Sequence, residues 1–373
     1  MTKVHSVEHA LKYTWHSAIG ENTKQPGQCR ALIIGVGGAG NNTVTRLMEM
    51  NPTEAESIAI NTDAVHLAAS RADRKIMIGE KLTNGLGAGG DPKIGRAAIE
   101  ESRKCVEDLL SGADMVFITA GLGGGTGSGA APVVAEIARR KGAIIVGVVT
   151  TPFRIEKGRM EYAASALTEM RKQCDTVVVI DNNKLMHLVP QLPIGEAFKV
   201  GDQVLARMIK GVVETISAPS LINLDFADFR TIVKRGGMAI VGVGESDAPN
   251  RAEEAVRNAL RSPLLDVDYA GATGALIHVT GDSQMTIEEA NRVGEIVTEM
   301  MDDHALVIWG ARVNPEQEGK LKVTLVMTGV DSQRASSGLG TIAPELFNME
   351  PHSEPERLLD LSLNLYQMEP DLR

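Results

Sequence analysis

The stretch that decides the fold is a buried strand, a glycine-rich loop and a helix in immediate succession. The strand is predicted over Asp114–Thr119, and the loop reads Gly121-Leu122-Gly123-Gly124-Gly125-Thr126-Gly127-Ser128-Gly129. A glycine loop that opens a helix presents backbone N–H groups at the positive end of the helix dipole, which favours an anion such as phosphate. So many glycines in one loop are poorly explained by an ordinary tight turn. This loop is therefore predicted to bind phosphate.

Two more glycine loops follow earlier strands. Gly35-Val36-Gly37-Gly38-Ala39-Gly40 ends the first strand, and Gly85-Leu86-Gly87-Ala88-Gly89-Gly90 follows the third. Parallel strands carry their ligand-binding loops at one carboxyl edge, so we expect all three loops to converge. A dinucleotide pyrophosphate needs one such loop, whereas three loops suit a longer phosphate chain. The sequence contains no G-x-x-x-x-G-K-[ST], which argues against a P-loop enzyme.

From residue 30 onward, short runs rich in Val and Ile alternate with helical patterns. Runs of this kind predict strands buried on both faces, and therefore a mostly parallel sheet with helices on both sides. The predicted strands are Ala31–Gly35, Ser57–Asn61, Lys75–Ile78, Asp114–Thr119, Ala143–Val149 and Thr176–Ile180. The predicted helices between them are Pro92–Leu110, Ala130–Lys141 and Met160–Gln173.

A long predicted helix separates this region from a second one. The pattern divides the chain into an N-terminal extension (1–29), a first domain (30–197), a central helix (198–217), a smaller α/β domain (218–330) and an acidic tail (331–373). The smaller domain is expected to hold a mixed sheet. Its predicted strands are Met238–Val243, Ala275–Thr280, Leu306–Trp309 and Leu321–Met327, and its predicted helices are Asn250–Arg261 and Ile287–Met301.

Composition narrows the function classes. The 38 basic and 48 acidic side chains give a net charge of −10, which argues against nucleic acid and anionic lipid as partners. No apolar run approaches the roughly 20 residues that span a bilayer. Cys29, Cys105 and Cys174 are scattered, which disfavours disulfides and a zinc cluster. The first residues lack a signal-peptide core, so a cytoplasmic location is expected.

A family resemblance adds to this reading. Gly123–Gly129 is the tubulin-type signature, and residues 30–330 resemble the FtsZ family of cell-division GTPases. The other matching segments are Asn61–Asp63, Gly85–Pro92, Asn223–Asp228 and Arg251–Ala255. The resemblance implies an α/β, tubulin-like fold, in which a parallel-sheet GTP-binding domain and a smaller α/β domain are joined by the central helix. It also implies a GTPase that is activated by self-assembly, polymerises head to tail and forms the division ring.

The resemblance assigns most of the nucleotide site. The implied phosphate-loop residues are Gly37, Gly38, Asn42, Asn61, Asp63, Gly87, Ala88, Gly89, Gly123, Gly124, Gly125, Thr126 and Gly127. Glu156 and Arg159 match the family's ribose and phosphate contacts, although an exposed i,i+3 pair would look the same. Asn182 and Asp202 match its guanine readers, and Phe198 matches its ring-stacking residue. The implied ligands are GTP or GDP and Mg²⁺.

The segment Asn223–Asp228 allows two interpretations. Locally, Asn223 or Asp225 is a good N-cap for the helix that follows. Yet no obvious acid or base lies beside the phosphate loops, and carboxylates fixed next to an anionic ligand would repel it. The resemblance implies that this segment enters the nucleotide site of the next subunit. There Asp225 and Asp228 would polarise the attacking water and help to hold the cation, with Asn223 positioning.

The acidic tail ends in an apolar motif, which favours folding upon a partner. A membrane-tethering adaptor and other division proteins are the partners expected at a mid-cell ring. The tail, the N-terminal extension and the shortened Glu156–Arg159 spacing depart from the bacterial pattern and favour an archaeal member. Two alternatives stay open. One is a tubulin-like cell-shape or regulatory filament protein; the other is an NAD-dependent oxidoreductase, which rests on Gly35–Gly40 and Asp63.

Overall fold

The computed structural model describes residues 29–50, 55–185, 189–217, 220–222, 224–234, 238–260 and 272–330. Asn223, the acidic tail and all of the N-terminal extension except its last residue lie outside the described residues. Among the helices of the described ranges, none combines the length and the apolar character needed to cross a bilayer.

A parallel six-stranded sheet forms the first part of the molecule, as the Val- and Ile-rich runs predict. Its strands are β1 (Ala31–Val36), β2 (Glu56–Asn61), β3 (Arg74–Met77), β4 (Met115–Gly121), β5 (Ile144–Thr151) and β6 (Thr176–Asp181). Their order across the sheet is β3-β2-β1-β4-β5-β6. The chain therefore moves to one side after β1 and returns to the other side at β4. The loops after these two adjacent strands lie at the topological switch point, where open α/β sheets bind ligands.

Helices cover both faces of this sheet. They are α1 (Gly37–Glu49), α2 (Ala64–Ala69), α3 (Glu80–Thr83), α4 (Pro92–Glu101), α5 (Arg103–Leu109), α6 (Gly125–Arg140), α7 (Lys157–Gln173) and, after a 3₁₀ turn at Asn182–Lys184, α8 (Ile194–Ser217). Ile33 of β1 joins the core beneath α1 and α8, whereas its neighbours Leu32 and Ile34 join the core beneath α4 to α7. Both sets of side chains are buried because successive residues of a strand point to opposite faces.

A mixed four-stranded sheet forms the second part. The elements of this second part, in chain order, are α9 (Phe226–Val233), β7 (Met238–Ser246), α10 (Arg251–Leu260), β8 (Gly274–Gly281), α11 (Ile287–Thr298), β9 (Leu306–Val313) and β10 (Leu321–Val330). Strand β10 runs antiparallel to β7 and β8, and β8 runs parallel to β9. A single residue pair, Val177 with Met238, continues the hydrogen bonding from β6 to β7. Helix α8 packs against α1 on one side and against β7 and β10 on the other.

Two helix predictions are corrected. The helix expected over Pro92–Leu110 is two helices, α4 and α5, because Ser102 leaves the helical conformation with φ −101° and ψ 9°. The apolar spacing continues across the break, so periodicity cannot reveal it. The helix expected over Ala130–Lys141 begins five residues earlier, at Gly125. Glycine has low helix propensity, which hides a helix start made of glycines.

Candidate functional site

Two glycine helix starts face each other at the switch point. Helix α1 begins at Gly37 and α6 begins at Gly125, and neither receives a side-chain cap or carries an acidic residue in its first turn. Gly37 has a φ of +72°, and a Cβ there would lie 2.9 Å from the Gly127 nitrogen. Only glycine permits that conformation and that approach. The two first turns therefore offer backbone N–H groups and two positive dipole ends to one anionic ligand.

The loop after β2 is hydrogen-bonded to the loop Gly85–Gly90 after β3. The Gly87 N–H donates to the Thr62 carbonyl at 3.1 Å, and the Ala64 N–H donates to the Gly85 carbonyl at 3.0 Å. The hydroxyls of Thr62 and Thr126 lie 2.7 Å apart and both side chains are buried. This hydrogen bond connects the loop after β2 to the first turn of α6.

The Asn61 and Asp63 side chains serve the local backbone in this arrangement. The Asn61 side-chain oxygen accepts from the Thr62 N–H at 2.9 Å, and Asp63 caps α2 by accepting from the His66 N–H at 2.9 Å. Ala88 is buried against Gly125, whereas Gly89 is exposed. The side chains of Asn61 and Asp63 thus fix the backbone of the loop after β2, and Ala88 packs the loop Gly85–Gly90 against the start of α6.

An open cleft of two adjoining cavities lies along these loops. The cavity over the glycine helix starts has a volume of about 350 Å³, and the one beside it, toward α8, about 630 Å³. They share Gly38, Ala39, Thr150, Asn182 and Phe198. A cleft of this size and two-part shape can hold phosphates in one cavity and a nucleoside in the other.

The cleft brings together residues that the sequence places far apart. The predicted residues that line it are Gly37, Gly38, Asn42, Gly124, Gly125, Thr126, Gly127, Glu156, Arg159, Asn182, Phe198 and Asp202. The predicted residues that do not line it are Asn61, Asp63, Gly87, Ala88, Gly89 and Gly123. The predicted positions are thus divided between those that line the cleft and those that do not.

Glu156 and Arg159 line the smaller cavity as an ion pair. The Arg159 guanidinium is 2.6 Å from the Glu156 carboxylate, whose other oxygen accepts from the Phe153 N–H at 3.1 Å. The backbone thus fixes Glu156, and Glu156 holds the more exposed Arg159 beside the cavity. The pair is exposed enough to contribute little stability by itself.

An aromatic and an acidic side chain, Phe198 and Asp202, line the larger cavity. Phe198 packs edge-on against Phe153 with ring centroids 5.7 Å apart and remains 40% exposed, so part of its ring is open to a ligand. Asp202 lies one turn further along α8 and accepts from the Thr43 hydroxyl at 3.1 Å. Burial raises the pKa of Asp202 to about 6, against the opposing effects of that hydrogen bond and of Arg46.

Sequence reasoning missed several lining residues. His66, Arg46 and Thr150 line the larger cavity, and Phe153 lines the smaller one. His66 lies close to Gly38, where a Cβ would approach its ring to 3.7 Å, and its Nδ1 is 3.5 Å from the Asn61 amide nitrogen. No short motif marks these positions. His66 lies on the first turn of α2, three residues after the N-capping Asp63.

Asp225 and Asp228 are placed differently. They form a reciprocal capping box at the start of α9, with hydrogen bonds of 2.8 and 3.1 Å, so the predicted N-cap geometry is present at Asp225. Neither residue lines the cleft of its own chain among the described residues. Beside them, Leu221 is 75% exposed, and Ile222 forms an isolated bridge to Ala311 at the end of β9.

Comparison with known proteins agrees with this arrangement. Residues 30–190 match the family model described as the Tubulin/FtsZ family GTPase domain, and residues 237–331 match the FtsZ family C-terminal domain. Cell division protein FtsZ 2 of Methanocaldococcus jannaschii is 56% identical over 82% of this chain and 81% of its own. Cell division protein FtsZ 1 of Pyrococcus furiosus is 53% identical over 82% of each chain.

Solved structures give the same result. An FtsZ dimer from Methanocaldococcus jannaschii has a TM-score of 0.78 at 47% identity and covers 94% of this chain and 99% of its own. CetZ2 from Haloferax volcanii has a TM-score of 0.71 at 21% identity, with 90% and 99% coverage, and that likeness concerns the fold alone. Archaeal relatives confirm the expected branch, and the match to a GTPase domain overturns the NAD-dependent oxidoreductase alternative. The chain belongs to the FtsZ family, the tubulin-like GTPases whose two domain models it matches in order.

Proposed function

We propose that this protein is a GTPase that polymerises head to tail, completes its active site between adjacent subunits and builds the cell-division ring. The observation that carries the proposal is the separation of two half-sites. The cleft supplies N–H donors for phosphates, whereas the carboxylates Asp225 and Asp228 lie outside it, on the mixed-sheet part of the same chain.

The binding half would use the cleft residues in three groups. The first turns of α1 and α6 would hold the phosphates, with Thr126, Glu156 and Arg159 at their edge. Asn42, Asn61, Asp63 and the loop Gly87–Gly89 would complete the phosphate edge, together with Gly123. Phe198 would pack on the base, and Asn182 and Asp202 would read guanine, because a carboxylate accepts from both N1–H and the 2-amino group.

Mg²⁺ fits this donor set as a phosphate-bound ion. Among the described residues, no three His, Cys, Asp or Glu side chains converge to form a metal centre. Mg²⁺ commonly binds through substrate phosphates and one or two carboxylates, and Asp63, on the loop after β2, would supply one of them. When bound, the ion would offset charge on the phosphates.

The catalytic half would come from the neighbouring subunit. Asp225 and Asp228 each use one carboxylate oxygen in the capping box, so each keeps another oxygen for a water molecule. Asn223, which lies outside the described residues, would assist. Residues 30–197 and the start of α8 would then bind GTP, and residues 218–330 would activate hydrolysis on the next subunit.

Exposed apolar side chains support such an assembly. Val65 on α2 and Leu86 in the loop Gly85–Gly90 are 81% and 85% exposed, and Leu221, four residues before Asp225, is 75% exposed. Large apolar side chains that are exposed in the monomer can be covered when two subunits meet. A contact between the two different ends repeats without closing, and it therefore makes filaments.

The division role is supported by the names of the relatives, which are called cell division proteins. In this role the filaments would form a ring at mid-cell. The acidic tail would bind a membrane-tethering adaptor, and no described segment offers a membrane span of its own.

Mixing two defective variants tests the shared site. Asp225→Ala leaves the cleft intact and removes the activating carboxylate. Asp202→Ala leaves the Asp225 carboxylate intact and weakens GTP binding in the cleft. Each alone should release phosphate slowly. The 1:1 mixture should exceed the sum of both, because one interface then combines an intact cleft with an intact Asp225. Additive rates in mixtures that co-sediment would contradict the proposal.

A further inference from the structure

Thr43 connects the base end of the cleft to the first phosphate loop. It lies on α1, 159 residues before Asp202 on α8, and its side chain is 2% exposed. Its hydroxyl lies 3.1 Å from the Asp202 Oδ1 atom and 3.2 Å from the carbonyl oxygen of Ala39. Ala39 lines both cavities. One buried hydroxyl therefore lies within hydrogen-bond reach of both parts of the cleft.

The hydroxyl has one proton and two possible acceptors. An ionised carboxylate is a stronger acceptor than a carbonyl oxygen, so the Thr43 hydroxyl donates its hydrogen bond to Asp202 as long as Asp202 is ionised. Each carboxylate oxygen has about two lone-pair sites. The Oδ1 atom can therefore accept from Thr43 and from a ligand at the same time. The hydrogen bond from Thr43 fixes the orientation of the carboxylate.

The carboxylate needs this support. Burial raises the pKa of Asp202 to about 6, and the hydrogen bond from Thr43 and the charge of Arg46 act in the opposite direction. A neutral carboxyl would keep a proton on one oxygen and would lose one of its acceptors. It would then no longer match the paired donors of guanine.

We propose that Thr43 is a positioning residue for base recognition, which holds the Asp202 carboxylate so that both of its oxygens accept from the N1–H and 2-amino groups of guanine. The inference rests on the proposed role of Asp202 as a guanine reader. It adds a residue that makes no contact with the base itself.

A purely structural role is the alternative. Helices α1 and α8 pack against each other, and Thr43 is buried there beside Val44 and Leu47 of the same helix. A packing defect would weaken every nucleotide alike. A positioning defect would weaken guanine nucleotides most, because they alone use both carboxylate oxygens.

The test compares GDP with IDP, whose hypoxanthine lacks the 2-amino group. Both are titrated into the full-length protein at a concentration below assembly, by competition with a fluorescent GDP analogue. Thr43→Val removes the hydroxyl at nearly constant shape, and Thr43→Ser keeps it. Thr43→Ala repeats the removal in a smaller side chain, and thermal melts identify the folded variants.

In Thr43→Val the preference for GDP over IDP should shrink by roughly ten-fold, the weight of one hydrogen bond to a charged group. Thr43→Ser should retain the preference. Equal weakening of GDP and IDP, or an unchanged preference in Thr43→Val and Thr43→Ala, would overturn the inference.

The Asp202→Ala background separates this inference from the proposed function. Because Thr43 acts through Asp202, adding Thr43→Val to Asp202→Ala should leave the remaining GDP/IDP ratio unchanged. A further decrease would show an effect of Thr43 that does not pass through Asp202, and it would count against the proposal. If Asp202→Ala by itself keeps the wild-type ratio, the guanine-reading role of Asp202 fails instead.

Discussion

Asp225 and Asp228 hold each other in place through the backbone. The Asp228 N–H donates to Asp225 Oδ1 at 2.8 Å, and the Asp225 N–H donates to Asp228 Oδ2 at 3.1 Å. One pair of carboxylates thus caps α9 and remains accessible at the surface. The N-cap interpretation and the water-activating interpretation are therefore compatible, and substitutions can separate them.

Asp225→Asn should separate capping from catalysis. Asn is as good an N-cap as Asp, so the free energy of unfolding should stay within about 0.5 kcal/mol of the wild type. GTP binding by the monomer should also persist. Phosphate release in assembled protein should fall by roughly 100-fold or more, because the carboxylate that polarises water is gone.

Asp225→Ala is the matched control, since it removes both functions. It should lose about 1 kcal/mol of stability in addition to activity. Wild-type turnover in Asp225→Asn would mean that the carboxylate is only a cap.

The affinity for GDP should depend on pH through Asp202. Its pKa is raised to about 6, so the ionised form that guanine requires is lost as the pH falls through that value. From pH 7 to pH 5 the GDP affinity should fall roughly ten-fold. The free energy of unfolding should change in the opposite direction. The buried charge of Asp202 destabilises the folded protein above pH 6, and protonation removes this effect as the pH falls below 6.

Asp202→Asn should abolish this pH dependence. His66→Gln removes the titratable histidine that lines the same cavity and should leave the dependence unchanged. A dependence that disappears with His66→Gln and survives in Asp202→Asn would assign it to the histidine instead.

Gly37→Ala should impair nucleotide binding. The φ of +72° disfavours any L side chain, and the new Cβ would crowd the Gly127 nitrogen. We expect GTP affinity to fall at least ten-fold, as 1.4 kcal/mol of lost binding would give. Gly158→Ala is the control, because Gly158 lies in the first turn of α7 with open space around its Cβ position. Equal affinities in the two variants would show that the close approach of α1 and α6 is dispensable.

Arg251 should matter for the stability of the second part of the molecule. Its guanidinium lies 2.6 Å from Glu289 and 3.3 Å from Asp282, and its side chain is 12% exposed. Arg251→Met should lower the free energy of unfolding in urea by about 2 kcal/mol, since it removes charged hydrogen bonds to two partly buried carboxylates. Arg292→Met breaks exposed pairs with Glu253 and Glu295 and should have a much smaller effect.

Acid should mimic the loss of Arg251. Its hydrogen bond lowers the pKa of Glu289 from 4.5, so the stabilisation is complete above that value and disappears as the pH falls below it. Arg251→Met should therefore flatten the decline in stability below pH 4.5. An unchanged decline would assign acid unfolding to other carboxylates.

Local sequence predicted the strands well and two helices less well. Val- and Ile-rich runs identify β1, β4, β5 and β6, because strands buried on both faces carry few polar side chains, whereas the edge strand β3 contains Arg74 and Lys75 and is only partly buried. The break at Ser102 has no such signal, because the apolar residues of α4 and α5 continue the same spacing. The start of α6 at Gly125 is hidden by glycine, whose contribution there is close approach and backbone N–H groups rather than propensity.

The sequence by itself determined the parallel sheet, the glycine loops at its carboxyl edge and the family. These properties depend on residues close together in the chain, whose order and type carry the information. Only the tertiary structure decided which loop residues line the cleft, that Thr43 meets Asp202, and that Asp225 and Asp228 lie outside the cleft of their own chain. These relationships come from the packing of α8 on α1 and from the mixed sheet beside β6, which join segments more than 150 residues apart through side-chain shape and burial.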